Sequence, residues 1–187
     1  MPSAPLRKDA QRNRDVLVAV ARAAFAATSE SVPLEAVARD AGVGIGTLYR
    51  HFPTRESLVE AVYSAELDEL VDCAEPLIHE LPADVALRAW LQRYAQFVAT
   101  KRGMIDALRA GWKSGRIATP ATRARITETV GTFLRAGAGQ GVLRADVEPD
   151  SLTALMLGVF LSTGPATSNE QVGILLDLLV DAVRLRS

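Results

Sequence analysis

The run TLYRHFPTR, residues 47–55, sets a hydroxyl, a phenol, two guanidiniums and an imidazole within nine positions: Thr47, Tyr49, Arg50, His51 and Arg55. Glycines precede it at 42, 44 and 46, and apolar residues thread the window at Val43, Ile45, Leu48, Phe52 and Leu58. Three chemistries use donors on such a platform: a catalytic loop, a phosphate cradle and a helix that reads DNA. The only histidines, His51 and His79, lie far apart, and no G-x-S-x-G elbow accompanies the serines, which argues against a hydrolase. The AGAGQG patch at 136–141 lacks the Lys-Ser/Thr and the flanking strand of a P-loop and reads as a helix-terminating loop. The DNA-reading helix is the chemistry that uses every donor in the row.

Such a row acts only if a helix presents it. Residues 34–52 read as helix, turn, helix, with the turn at Ala41-Gly42-Val43-Gly44 and Gly42 suited to a helix C-terminus. Val37, Ala38, Val43, Leu48 and Phe52 can pack inward, and Ala38 and Ala41 are small enough for close approach. Ile45, Gly46, Thr47, Tyr49, Arg50 and His51 then face outward, with Gly44 as N-cap. This is a helix-turn-helix pattern, whose second helix enters the major groove. Gly46 permits close backbone approach, and Ile45 offers apolar contact. Thr47 can meet a base edge or a thymine methyl. Tyr49 and His51 can donate to phosphate oxygens, and Arg50 can read guanine or bind phosphate. Arg55, at the start of the next helix, adds charge where backbone N–H groups already favour an anion.

Charge distribution agrees. The net charge is −1, but residues 1–55 carry eight Lys/Arg against five Asp/Glu, and the rest of the chain thirteen against seventeen. The basic third, including Arg7, Lys8, Arg12 and Arg14, suits a polyanion. One cysteine, Cys73, excludes an intrachain disulfide and a Cys-rich zinc site, and two distant histidines give no His-based metal site. No cofactor is expected. No apolar run reaches the ~20 residues of a membrane span, so the expectation is a soluble, cytoplasmic protein without a membrane partner.

The elements read as all-α, about nine helices punctuated by Pro and Gly. Helical periodicity marks residues 12–28, with Val16, Leu17, Val20, Ala24 and Phe25 along one side. A helix capped by Thr54 is expected to run to about His79, and another to end at Gly137. Asp150 and Asn169 are the expected N-caps of the last two helices. The chain divides into a helix-turn-helix domain at 1–54 and a larger bundle at 55–187. In that bundle Trp90, Tyr94, Phe97, Met104, Leu108, Trp112, Phe133, Met156 and Phe160 are either core or the lining of a ligand pocket. The last two helices are too apolar for a solvated pair. Leu152, Leu155, Val159, Val172, Leu175, Leu176, Leu179 and Val183 are expected to meet a second copy across a two-fold axis.

The segment AVARDAGVGIGTLYRHFPTRESL resembles the DNA-binding signature of the tetracycline-repressor (TetR/AcrR) family, through its A-G-V turn, its G-T-L-Y-x-H-F run and the basic residue three positions beyond the Phe. The resemblance implies a three-helix DNA-binding head and a C-terminal ligand-binding and dimerisation domain. It implies DNA contacts at Thr47, Tyr49, His51 and Arg55, with Tyr49 and Arg55 on phosphates. Pro33 and Leu34 stand where the family often has Thr, and Gly44 where Ser is common. The expected specificity therefore falls to Thr47, Arg50 and the N-terminal basic residues. The expected function is a homodimeric regulator, a repressor released from a palindromic double-stranded DNA operator by a small-molecule effector, and not an enzyme. The alternatives are a DNA-binding regulator without a ligand and a protein-interaction module using the Tyr49 face.

Overall fold

The computed structural model describes residues 4–27, 32–103, 119–163 and 167–185. The ordered elements are the helices α1 (Ala4–Ala27), α2 (Leu34–Asp40), α3 (Ile45–His51), α4 (Arg55–Asp72), α5 (Ala74–Glu80), α6 (Ala83–Gly103), α7 (Thr119–Gln140), α8 (Pro149–Ser162) and α9 (Asn169–Val183). The fold is all-α, as expected; the β pairing found among the described residues is an isolated antiparallel bridge between Leu143 and Arg184. The chain forms two compact units. The first combines Met1–Glu66 with Ala99–Ala118, and the second Leu67–Val98 with Thr119–Ser187, so α4 and α6 contribute residues to both.

In the first unit, α1 buries Leu17, Ala21 and Phe25, a strict four-residue spacing, while Val16 is exposed. It packs on α2 and α3. α2 buries Leu34, Val37 and Ala38, and α3 buries Leu48. Burial of Phe25, Leu48 and Phe52 contributes roughly 1.5–3 kcal/mol each before entropy is counted. The turn between α2 and α3 is a Schellman ending. Val43 N–H reaches the Ala38 carbonyl and Gly42 N–H the Arg39 carbonyl, both at 3.0 Å. That geometry needs Gly42 at φ +68°, where a side chain would be strained. Thr54 caps α4 as expected, and reciprocally. Its Oγ1 accepts from Ser57 N–H at 3.2 Å, while Ser57 Oγ accepts from Thr54 N–H at 3.2 Å.

In the second unit α7 packs on α5 and α8, and α8 on α9. Several boundaries differ from expectation for identifiable reasons. The helix from Thr54 does not reach His79 unbroken: it stops at Asp72 and resumes at Ala74. Pro76 has no N–H for the carbonyl four residues back, which is that of Asp72, and its ring crowds the same carbonyl. The next helix does not end at Gly137 but runs to Gln140, and AGAGQG belongs to it up to Gly141. Gly141, at φ +69°, is the C′ residue of a second Schellman ending, with Val142 N–H on the Gly137 carbonyl at 2.9 Å. Pro149 occupies the first turn of α8, which moves its N-cap from Asp150 to Glu148. Ser168 rather than Asn169 caps α9, its Oγ accepting from Gln171 N–H at 3.1 Å. The first helix begins at Ala4, upstream of the expected residue 12.

Candidate nucleic-acid interface

α3 has two clearly different sides. Leu48 points into the core at 0 % exposure. Gly44, Ile45, Gly46, Tyr49 and Arg50 are exposed, Ile45 to 38 % and Tyr49 to 45 %. Thr47 and His51, expected on the outer face, are half-buried at its margins. Helical spacing explains the division: 45, 46, 49 and 50 share one face, and 47 and 51 lie together between 50 and the buried 48. The structure thus gathers most of the expected row on one short helix.

The cations around it differ in freedom. Arg50 Nε donates to the Gly46 carbonyl at 3.3 Å, which lays its side chain back along α3. Arg12 is exposed on α1. Arg14 is half-buried, its guanidinium 4.8 Å from the centroid of the Phe52 ring. Arg55 is half-buried too and is held by Val32 and Phe25. Sequence reasoning missed these two ring contacts, because each joins residues some thirty or more positions apart. The side chains of Arg7 and Lys8 lie outside the described residues.

Two glycines of α3 and its N-cap have no packing reason to be glycine, as is also true of Gly139 and Gly158 in the second unit. A methyl group at Gly44 or Gly46 would meet nothing within 4 Å. Gly46 lies inside α3, where glycine costs roughly 0.5–1 kcal/mol against alanine.

Nearby in the same unit, Arg22 pairs with Glu66, a carboxylate only 6 % exposed. The Lys101 ammonium lies 5.7 Å from the Tyr63 ring centroid, and burial holds its pKa below the ordinary lysine value.

In the second unit, six of the expected pocket residues form a packed cluster. Trp90, Tyr94, Phe97, Phe133, Met156 and Phe160 are all buried. Trp90 stacks on Tyr94 at 5.8 Å between centroids, and Tyr94 meets Phe160 edge-on at 5.0 Å. Trp90 Nε1 donates to the Leu70 carbonyl at 2.8 Å, so even the polar end of that ring is used. Met104, Leu108 and Trp112 lie outside the described residues. An open groove of about 550 Å³ lies elsewhere, along α7 and the start of α8, lined by Arg123, Thr127, Gly131, Arg135 and Pro149 among others.

The expected interface residues divide in two. Leu152, Leu176, Leu179 and Val183 are buried within the unit, where they join α8 and α9 to its own core. Val159, Val172 and Leu175 are half-buried, and Leu155 is exposed. The outer apolar face also carries Leu161 at 85 %, Ile174 at 50 % and Leu178 at 60 % exposure, three residues that periodicity alone did not single out. Among the described residues no helix is long and apolar enough to cross a membrane, and no group of three His, Cys, Asp or Glu could hold a metal.

Comparison with known proteins converges. Residues 17–62 match the profile of bacterial regulatory proteins of the tetR family. Residues 82–185 match the C-terminal domain of SbtR-like transcriptional regulators. A TetR transcriptional regulator from Streptomyces coelicolor is similar in structure with TM-score 0.82 and 39% identity, over 93% of this chain and 99% of that one. A TetR regulator from Mycobacterium vanbaalenii aligns with TM-score 0.74 and 33% identity, over 97% and 100%. An HTH-type transcriptional regulator of Staphylococcus aureus (strain USA300) is 26% identical over 108 residues, 57% of this chain; the match spans 58% of that relative's length. With the helix-turn-helix of α2 and α3 and both family profiles in place, the chain belongs to the TetR family of DNA-binding transcriptional regulators, whose members are not enzymes.

Proposed function

We propose that this regulator is a homodimeric repressor that grips a palindromic operator through residues 33–55 and is released by a small molecule. Residues 1–54 form the DNA-binding domain and 55–187 the ligand-binding and dimerisation domain. Gly46 carries the DNA surface. It is a glycine inside a helix, with open space where a methyl would sit, flanked by exposed Tyr49 and Arg50. Its own packing does not require glycine, and its place on the exposed face of α3 supports the reading that a sugar-phosphate backbone or base edge approaches it closely. Thr47, Tyr49, Arg50 and His51 supply donors around that contact, with Ile45 beside a thymine methyl and Arg12 and Arg14 on the flanking phosphates.

Two heads are needed because a helix of seven residues reads few bases. A dimer presents two recognition helices to half-sites about 34–36 Å apart. The outward apolar face of α8 and α9, with Leu155, Leu161, Ile174 and Leu178, supports the pairing. An effector acts only through its different affinity for the free and DNA-bound states, so effector and operator are reciprocally antagonistic. Helix α4, shared by the two units, would carry the shift.

The test begins with selection from a random duplex library, followed by anisotropy titration at several salt concentrations. Gly46→Ala is expected to raise the melting temperature while weakening binding to the selected duplex. Equal binding by Gly46→Ala and wild type, or no enriched sequence, would refute the proposal. A second reading, a regulator without an effector, draws support from the closely packed rings of Trp90, Tyr94 and Phe160. A compound library that produces no thermal shift and no release of DNA favours that reading.

A further inference from the structure

Arg55 stands where the resemblance expects a phosphate contact, yet its guanidinium is engaged inside the protein. It is the first residue of α4. Its Nη1 donates to the Val32 carbonyl, and the guanidinium lies 5.6 Å from the centroid of the Phe25 ring. Val32 is buried and leads directly into Pro33, the N-cap of α2. At this entry Ala36 N–H and Val37 N–H both go to the Pro33 carbonyl. The Val32 carbonyl is therefore satisfied by a side chain from another helix. Phe25 is 1 % exposed on α1, so its ring offers Arg55 a fixed surface. One planar cation thus ties together the start of α4, the entry to α2 and the C-terminal half of α1. α2 and α1 are the helices against which α3 packs.

We infer that Arg55 is a positioning residue: it acts on DNA binding by holding the entry of α2, and with it the helix-turn-helix, in register with α1 and α4, rather than by neutralising a phosphate. The inference rests on α3 being the DNA-reading helix. Its chemistry favours arginine specifically. A guanidinium can lie flat on a ring and still direct an N–H at a carbonyl in its own plane, whereas an ammonium is a point charge without that plane.

Counterion release separates the two roles. A residue bound to a phosphate contributes about 0.9 to the slope of log affinity against log salt. A positioning residue contributes to affinity and nothing to the slope. Arg55→Met and Phe25→Leu would be titrated against the duplex selected by the wild-type protein, well below each variant's melting midpoint. Both are expected to bind at least about fivefold more weakly, with the wild-type slope. Phe25→Leu keeps the Arg55 charge, so its loss of affinity can come only through geometry. Amide exchange in residues 32–38 of free Arg55→Met is expected to be faster than in wild type. A slope reduced by about 0.9 per subunit in Arg55→Met, with Phe25→Leu binding normally, overturns the inference in favour of a phosphate contact. Wild-type affinity in folded Arg55→Met overturns it in favour of a purely structural role. Should Arg55→Met fail to fold, Arg55→Gln decides: weaker binding at the wild-type slope supports positioning, and a slope reduced by about 0.9 per subunit, or wild-type binding, overturns it. If wild type itself binds no duplex in a salt-dependent way, the DNA-reading assignment of α3 fails first, before any variant is compared.

Discussion

Replacing each of the three glycines near the end of α7 by alanine separates three physical roles within five residues. A methyl at Gly137 would lie 2.7 Å from Leu143 Cβ and closer still to its Cγ and Cδ1. Leu143 has no room to retreat. It is 2 % exposed, its N–H is bonded to the Gly137 carbonyl at 3.1 Å, and Arg144 N–H on the Val183 carbonyl anchors its neighbour at 2.8 Å. Overpacking of this kind costs about 1–3 kcal/mol. Replacing a helical glycine by alanine returns roughly 0.5–1 kcal/mol. Gly137→Ala should therefore lose up to about 2.5 kcal/mol net. A methyl at Gly139 would meet nothing within 4 Å, so Gly139→Ala should keep a gain of up to ~0.5–1 kcal/mol. Gly141 also has space, but at φ +69° an alanine bears a left-handed penalty of about 1–2 kcal/mol. Urea unfolding followed by far-UV circular dichroism, at one protein concentration, gives the order Gly139→Ala, wild type, then the other two. In a Leu143→Ala background the Gly137→Ala penalty should shrink, because Cγ and Cδ1 are gone while the Cβ contact at 2.7 Å remains. Gly137→Ala as stable as Gly139→Ala, or an undiminished penalty in the Leu143→Ala background, would refute the reasoning.

Four further outcomes test other regions. Tyr49→Phe, which removes one exposed hydroxyl, should weaken operator binding by about 0.5–1.5 kcal/mol without changing the salt slope or the melting temperature. Leu178→Glu on the outer face of α9 should shift the protein toward monomer in sedimentation velocity while leaving the helical spectrum intact. Leu176→Ala, in the core of the same helix, should cost about 2–5 kcal/mol of stability instead. Burial lowers the pKa of Lys101, so over the interval between the folded and unfolded values the unfolded chain binds more protons. Stability should then rise with pH through that interval, and Lys101→Met should flatten the rise as measured by urea midpoints at successive alkaline pH values.

The recognition helix was legible because its signals are local. Gly42 is needed for a left-handed turn, Thr54 caps the next helix three residues before its partner Ser57, and the 3.6-residue repeat separates Leu48 from Tyr49 and Arg50. Each depends on neighbours within one or two turns, so the order of residues suffices to read it. The break at Cys73 was missed, because the apolar stripe through Leu70 and Leu77 argued for continuity, although Pro76 carries a local signal in its missing N–H. What packing decided is of another kind. α8 and α9 are apolar nearly all round, so periodicity offers several candidate inner faces, and burial of Leu152, Leu176 and Leu179 rather than Leu155, Ile174 and Leu178 follows from which helices lie beside them. The glycines at 137, 139 and 141 look alike in order; a Leu143 side chain against one and a positive φ at another tell them apart. Likewise Arg55 reads as a free cation until Val32 and Phe25, 23 and 30 positions away, come within its reach. Backbone hydrogen bonds and caps act over a few residues, whereas side-chain burial and the anchoring of a charge depend on surfaces that exist only once distant segments have packed.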